Sequence, residues 1–431
     1  MTDTLSAMWS VDEHLADILR AVRPLAPIEL PLLDAAGCVL TEDVTVPAAL
    51  PPFDNSSMDG YAVRLADVEG ATEEFPAVLG VVGDIAAGSG NLPTVGPGQA
   101  ARIMTGAPVP PGAQAVVPVE WTDGGAGGGP ADAMTSGPHG PEVRVHRPVA
   151  AGQHIRRRGS DAAAGALALT AGSVLGPPQL GLLAALGHAA VPVHPRPRVV
   201  VLSTGSELTP PGEPLEPGRI HDSNSFALTA AAQAAGAVAY RVAAVADDAA
   251  TLRAVLDDQL VRADLVVTSG GVSVGAYDVV KEALEQGSGI EFRRLAMQPG
   301  KPQGFGLLGP SGVPLFALPG NPVSSYVSFE LFVRPALRAM AGLAPDALHR
   351  PRVQARLVAP GPLSSPPGRR QFLRGVHTPP AAGEHVGTVT PVGGASSHLL
   401  AALARADALV EIPEQVTEVA PGAELTVVLL G

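Results

Sequence analysis

Residues 268–284 read TSGGVSVGAYDVVKEAL and contain Gly271-Val272-Ser273-Val274-Gly275, a complete G-x-S-x-G. That pattern suits two chemistries. In one, Ser273 is a nucleophile on a sharp strand-to-helix turn. In the other, Ser269, Gly270, Gly271 and Ser273 form a glycine-rich loop whose amides face an anion, with Asp278 one helical turn beyond. A serine hydrolase needs a downstream acid, a His and an oxyanion loop of HGGG type. Asp278 is too close in sequence for an ordinary triad acid, and the chain has no HGGG, so the anion cradle is the favoured reading.

Two further loops have the same character. Ser203-Thr204-Gly205-Ser206-Glu207 follows the apolar run RVVVL, and Leu318-Pro319-Gly320-Asn321-Pro322-Val323-Ser324-Ser325 follows PLFA. In the latter, Asn321 is a natural N-cap and Pro322 a natural first helical residue, so the helix start would present free amides and a positive dipole end. Three such loops, each with hydroxyls or a carboxylate, predict an anion-binding rim. Glu207, Asp222, Asp247, Asp248 and Asp278 lie near expected strand ends or helix starts. Capping explains Asp247-Asp248 equally well. A carboxylate such as Glu207 or Asp278 in a phosphate cradle is repulsive unless a cation intervenes. Mg²⁺, held by one or two carboxylates and phosphate oxygens, resolves the conflict.

Lys301, in AMQPGKPQGFG, is flanked by Pro299 and Pro302, which would aim its ammonium. GQHIRRRGSD (152–161) sets three arginines against Asp161. PPFDNSSMDGYAV (51–63) carries Asp54, Asn55, Ser56, Ser57 and Asp59 in a turn-prone stretch. Lys301 is no Walker lysine, because Leu295 stands where the first Gly is required and Pro302 where Ser or Thr is. No G-x-G-x-x-G joins a strand to a helix, and the histidines show no tight ligand spacing.

The elements that must position these residues follow from periodicity. Residues 10–22 predict a helix with a Ser10/Glu13 capping box. From 24 to about 175, short Val-rich segments between Pro and Gly turns predict small β-domains, with the low-complexity stretch 123–140 as a flexible hairpin tip or surface loop. Residues 177–187 predict a helix from Pro to Gly. From 196, strands alternate with amphipathic helices, ending in a long helix from 321 to 342. This predicts an α/β domain with a parallel sheet covered on both faces, whose ligands bind beyond the strands' carboxyl ends. The tail, about 350–431, predicts a small β-barrel.

With 431 residues, 46% of them apolar, the chain can form several cores, and only 3% aromatics means cores of Val, Leu and Ala. The 41 acidic and 28 basic residues give a net charge of −13, which argues against nucleic-acid and anionic-membrane partners. Cys38 alone allows neither a disulfide nor a cysteine zinc site. The N-terminus lacks a signal pattern, and no apolar run reaches the ~18 residues that span a bilayer. The expectation is a cytoplasmic protein.

Taken together, PPFDNSSMDGYAV, RIMTGAPVPPGAQAVV, GQHIRRRGSD, STGSEL, SGGVSVGAYD, MQPGKP and LPGNPVSS occur in the order seen in molybdopterin molybdenumtransferases, the MoeA and gephyrin E-domain family. The resemblance spans essentially the whole chain. It implies four domains: 1–50 with 141–190, 51–140, a molybdopterin-binding α/β domain at 191–345, and a barrel at 346–431. It further implies a homodimer that inserts molybdate into adenylylated molybdopterin with Mg²⁺ and releases AMP. The adenylyltransferase of the same pathway is a candidate partner; that enzyme's own reaction and a scaffold role are the rival functions. Carried over by position, Asp59, Thr105, Asp161, Glu207, Asp247 or Asp248, and Asp278 match acids or hydroxyls implicated in activity. Lys301, Ser324, Arg369 or Arg370, and Ser396 or Ser397 match positions proposed to hold molybdate or the pterin phosphate. Asp59 and Thr105 would act across the dimer cleft. Gln298 stands where the family often has Lys, which removes one positive charge from the proposed oxyanion site.

Overall fold

A computed structural model describes residues 8–135, 137–246, 248–272, 279–284 and 289–431. Ser273, Asp278 and Asp247 lie outside the described residues. The chain divides into two compact units.

Residues 1–42, 172–177 and 190–431 form the first. Its central sheet has six strands: β1 (Arg198–Ser203), β2 (Val238–Arg241), β3 (Leu265–Ser269), β4 (Ile290–Arg294), β5 (Pro302–Leu308) and β6 (Val313–Leu318), in the order β2-β1-β3-β6-β5-β4. The first four in that order are parallel, as expected, but β5 and β4 run antiparallel. The expected parallel sheet is present in β2-β1-β3-β6; the antiparallel pair at its edge went unanticipated because residues 302–308, rich in Gly and opened by Pro302, carry a weak strand signal. β5 then pairs with β6 through a short turn, which only an antiparallel pair permits.

Alternation along the parallel strands separates two cores. Val199, Val201, Leu265, Val267 and Phe316 face one side, while Val200, Leu202, Val266, Leu315 and Ala317 face the other. Helices α1 (Val11–Ala21), α2 (Asn224–Ala234) and α5 (Pro322–Ser328) bury residues in the first core; α3 (Ala249–Leu260) and α4 (Val279–Leu284) in the second. The capping box forms as expected, with Ser10 Oγ accepting from Glu13 N–H and Glu13 from Ser10 N–H. The predicted long helix is interrupted. After α5 comes a π-helical turn, Phe329–Val333, and then a helix over Arg334–Met340. Pro335 has no N–H for the carbonyl of Leu331 and its ring would strike it, and the wider turn relieves both.

The tail closes into a five-stranded barrel: Arg370–Thr378 pairs with Gly387–Pro391 on one side and Ala408–Ile412 on the other, and Arg352–Leu357 and Glu424–Leu429 complete the ring.

The second unit covers 43–171 and 178–189. Its five-stranded sheet runs Ala115–Pro118, Gly60–Val63, Gln99–Ile103, Ala77–Ile85, Glu142–Val145. The last strand takes this β-domain past residue 140. The low-complexity stretch is anchored, since the buried Arg102 donates to the carbonyls of Gly137 (2.8 Å) and Thr135 (2.5 Å).

His14, on α1, is buried edge-on against Phe332 and Phe305 with the Arg293 guanidinium 3.4 Å from Nδ1. Burial first, then Arg293, depresses its pKa to about 3, with Asp17 opposing. The folded pKa lies below the unfolded value, so the stability it contributes is complete above about pH 6.5 and is lost as pH falls toward 3, at about 1.4 kcal/mol per pH unit. Between pH 7 and 5 the wild type should lose about 2 kcal/mol more than His14→Leu in urea unfolding. Parallel losses in the two proteins would refute the assignment.

Candidate functional site

β1, β3 and β6 end level with one another: Ser203 pairs with Ser269, and Ser269 with Leu318. The three predicted loops therefore leave the sheet side by side. They wall a cavity of about 760 Å³ lined by Ser203, Thr204, Gly205 and Glu207 from the first loop, Ser269, Gly270 and Gly271 from the second, and Pro319, Gly320, Asn321 and Ser324 from the third. Its position beyond the strands' carboxyl ends is the ligand position of open α/β sheets.

The loops meet backbone to backbone. Gly270 has φ +104°, and a Cβ there would lie 2.5 Å from the Thr204 carbonyl oxygen. Gly320 would place a Cβ 3.4 Å from Gly270 Cα. At Gly270 only glycine permits this approach, whereas the Gly320 distance is ordinary van der Waals contact. Thr204 Oγ1 is buried beside Gly270 and Gly271 and has no partner among the described residues. A ligand oxygen in the cradle would satisfy it, because buried polar atoms otherwise remain costly.

Two side chains lock the walls. Asp222 is buried and accepts from Ser203 Oγ (2.9 Å), Ser225 N–H (3.1 Å) and Ser225 Oγ (2.5 Å), so it ties the end of β1 to the start of α2. Asn224, which sequence reasoning passed over as part of a helix start, donates from Nδ2 to Ser269 Oγ (2.8 Å) and to the Gly320 carbonyl (2.6 Å). Ser269 Oγ is also 3.1 Å from Ser325 Oγ. One amide thus fixes the second loop to the third. Asn224→Ala should lower kcat/KM by tenfold or more while costing about 1–2 kcal/mol of stability. Asn224→Asp, the same shape without the N–H donors, should be no better than Ala; near wild-type activity in Asp would remove the bridge from the account.

The barrel contributes the fourth wall. The buried Arg374 donates to the carbonyls of Ser396 (3.2 Å) and Gly394, fixing the loop that brings His398 to the cavity. The Ser397 carbonyl accepts the Val323 N–H (3.0 Å), and Asn321's carbonyl accepts from Ser325 N–H (2.9 Å). The start of α5 is thus less open than expected: the Val323 amide is taken by Ser397, Pro322 has no N–H, and Asn321 occupies the N-cap position without a side-chain cap bond, while the Ser325 bond is the helix's ordinary first one. His398 carried no spacing signal and was not identifiable from sequence.

The arginine pair separates. Arg370 donates to Asp12 (2.9 and 2.7 Å) and Glu414 (2.9 Å) and lies 3.5 Å from Glu411, which raises its pKa further. Arg369 enters no such network among the described residues. Lys301 is half-buried at the start of β5, its carbonyl accepting the Leu295 N–H (2.7 Å), with Pro302 against the cavity. Gln298 lies in a short strand paired with Gln371.

The remaining predicted residues belong to the second unit. Asp59 accepts the Thr105 N–H (2.7 Å), both exposed. Asp161 is exposed, with its own N–H on the Leu50 carbonyl. The carboxylate that the arginines meet is not Asp161 but Asp54, which takes Arg157 Nη1 (2.6 Å) and the Arg158 N–H (2.7 Å). Those bonds, the Arg158 amide first, hold the Asp54 carboxyl below its ordinary range. Asp248 is a helix cap, accepting from Thr251 N–H (2.7 Å). No cluster of three or more His, Cys, Asp or Glu suited to a metal occurs among the described residues.

The chain matches three family profiles end to end: the MoeA N-terminal region (domains I and II) over 9–187, a probable molybdopterin binding domain over 200–339, and the MoeA C-terminal region (domain IV) over 356–430. It is 49% identical to molybdopterin molybdenumtransferase 2 of Mycobacterium tuberculosis, covering 97% of this chain and 99% of that one. Molybdopterin molybdenumtransferase 1 of that organism is 39% identical over 98% and 99%. A solved structure of a molybdopterin biosynthesis MoeA protein from Pyrococcus horikoshii is 31% identical and superposes with a TM-score of 0.75, over 99% of this chain and 100% of that one.

Proposed function

Because this chain belongs to the MoeA family of molybdopterin molybdenumtransferases, we propose that the cavity takes the phosphate end of adenylylated molybdopterin, and that the protein transfers molybdenum from molybdate to it with release of AMP. The observation that carries this is the glycine-lined meeting of three loops at the carboxyl ends of β1, β3 and β6, with the unpartnered Thr204 hydroxyl beneath it. Such a wall offers backbone amides and hydroxyls to an anion, local donors that a protein of net charge −13 needs in order to hold one.

The donor set suits Mg²⁺ in its usual phosphate-bound form. Mg²⁺ needs only one or two carboxylates when substrate oxygens and waters complete its shell, and Glu207 stands exposed on the rim, with Asp278 as the second candidate. Bound there, the ion would neutralise phosphate charge. Asp222 and Asn224 hold the walls; Lys301, Arg369 and the Ser396-Ser397 loop are the groups we assign to the oxyanion. Asp59, Thr105 and Asp161 are assigned to the same reaction, Asp59 and Thr105 from a partner protomer in a homodimer. A cytoplasmic setting accords with the absence, among the described residues, of any helix long and apolar enough to cross a membrane.

The test supplies adenylylated molybdopterin, Mg²⁺ and molybdate and measures AMP and active cofactor. Molybdate-dependent AMP release supports the assignment. Consumption of ATP with molybdopterin, and no AMP release from the adenylylated substrate, would assign the preceding adenylyl transfer instead.

A further inference from the structure

Leu208 and Ile220 are register partners in a two-stranded parallel ribbon, Leu208–Thr209 with Ile220–His221. Both line the cavity, whereas Thr209 is buried behind. Ile220 is 56% exposed. The ribbon is braced: the Ile220 N–H donates to the Glu207 carbonyl (2.9 Å) and the Asp222 N–H to the Thr209 carbonyl (3.0 Å). The apolar pair is therefore held next to the first phosphate-facing loop, with its outer face uncovered.

The cavity is also larger than an oxyanion needs. At about 760 Å³ it falls within the ~300–1,000 Å³ that enclose a drug-sized molecule, while a water occupies only about 30 Å³. The rest of the wall is glycine, hydroxyl, amide and carboxylate together with the buried Val272, three prolines and two imidazoles, and only Leu208 and Ile220 set two branched apolar side chains side by side in one ribbon.

We propose that Leu208 and Ile220 form the platform on which a flat heteroaromatic ring of the substrate stacks, while the glycine loops hold its phosphate. This rests on the functional reading above. Adenine and pterin are both planar, with apolar faces and polar edges, and the ribbon would make Ile220 a determinant of affinity for one of them.

The full-length protein is titrated with three probes: AMP, inorganic pyrophosphate and molybdopterin. Ile220→Ser changes a solvent-exposed position and adds no charge, so folding and phosphate electrostatics should stay intact. The expected result is a loss of at least about fivefold in affinity for one ring-bearing probe, with pyrophosphate unchanged and Ile220→Val near wild type. Loss for AMP identifies adenine as the stacked ring; loss for molybdopterin alone identifies the pterin. Both within about twofold of wild type would overturn the platform while leaving the functional reading intact. If the wild type binds none of the three, the functional reading fails and the platform with it.

Discussion

Gly271→Val is expected to abolish AMP release, whereas Ser273→Ala is expected to cost less than tenfold. Gly271 has φ +65°, and a Cβ there would lie 2.9 Å from Val280 Cγ2, 3.0 Å from the Val280 backbone nitrogen and 3.3 Å from Thr204 Oγ1. A β-branched residue in the left-handed region is strained by roughly 1–3 kcal/mol before any clash is counted. The backbone atom cannot yield without shifting α4, so the loop must move and take Gly270 with it. Gly270 packs against the Thr204 carbonyl and Gly320, so both neighbouring loops lose their contact. Ser273, by contrast, supplies one hydrogen bond on the cradle reading, about 1 kcal/mol. A hydrolase predicts the reverse ranking. Both variants should be assayed for AMP release, with fluorophosphonate labelling of the wild type. An inactive Ser273→Ala together with stoichiometric labelling at Ser273 would end the cradle account.

What was legible in the sequence is what local rules control. Ser203-Thr204-Gly205 and Pro319-Gly320-Asn321 follow uninterrupted β-branched or apolar runs, and a strand end followed by small residues marks a ligand-facing loop wherever the sheet is parallel. The capping box, the helix beginning at Pro177 and the closed barrel follow from spacing in the same way. The antiparallel β5 was hidden, because PQGFGLL has too few β-branched residues to announce a strand that only its pairing with β6 stabilises.

The site itself divides along the same line. Asp222 stood out as an acid near a strand end, but its task, bonding Ser203 and Ser225, is set by a fold that brings residues 203 and 225 together. Asn224, Arg374 and His398 act across sequence separations of 45 to 96 residues (Asn224), 20 to 22 residues (Arg374), or through a cavity wall, where no spacing rule reaches. Arg370 has partners that its position in the sequence does not reveal. A guanidinium held by Asp12 and Glu414 is engaged within the protein, whereas Arg369 enters no such network among the described residues.

Glu330→Ala should produce a large stability loss in the first unit, about 3–5 kcal/mol. Glu330 sits in the π-helical turn with its side chain 1% exposed, between Phe329 and Leu331, which belong to the main core. It accepts two bonds from Arg350, at 2.8 and 3.1 Å, and Arg334 Nε lies 3.9 Å away. Arg334 is itself buried, and its Nε and Nη1 have no hydrogen-bond partner among the described residues. Its pKa is lowered by burial and then by Arg350, with Glu330 opposing. Removing the carboxylate leaves two inward guanidiniums facing each other without compensation, which is why breaking such a pair costs more than the pair contributes. Glu330→Gln keeps an acceptor and loses only the charge, so its cost should fall between wild type and Ala. The two tryptophans make the measurement specific: Trp9 packs on the first unit's core and Trp121 lies in the second unit. In a Trp121→Phe background, Trp9 fluorescence reports urea unfolding of the affected core alone. A shift below about 1 kcal/mol for Ala, or a larger one for Gln than for Ala, would show that Glu330 does not neutralise the arginine pair.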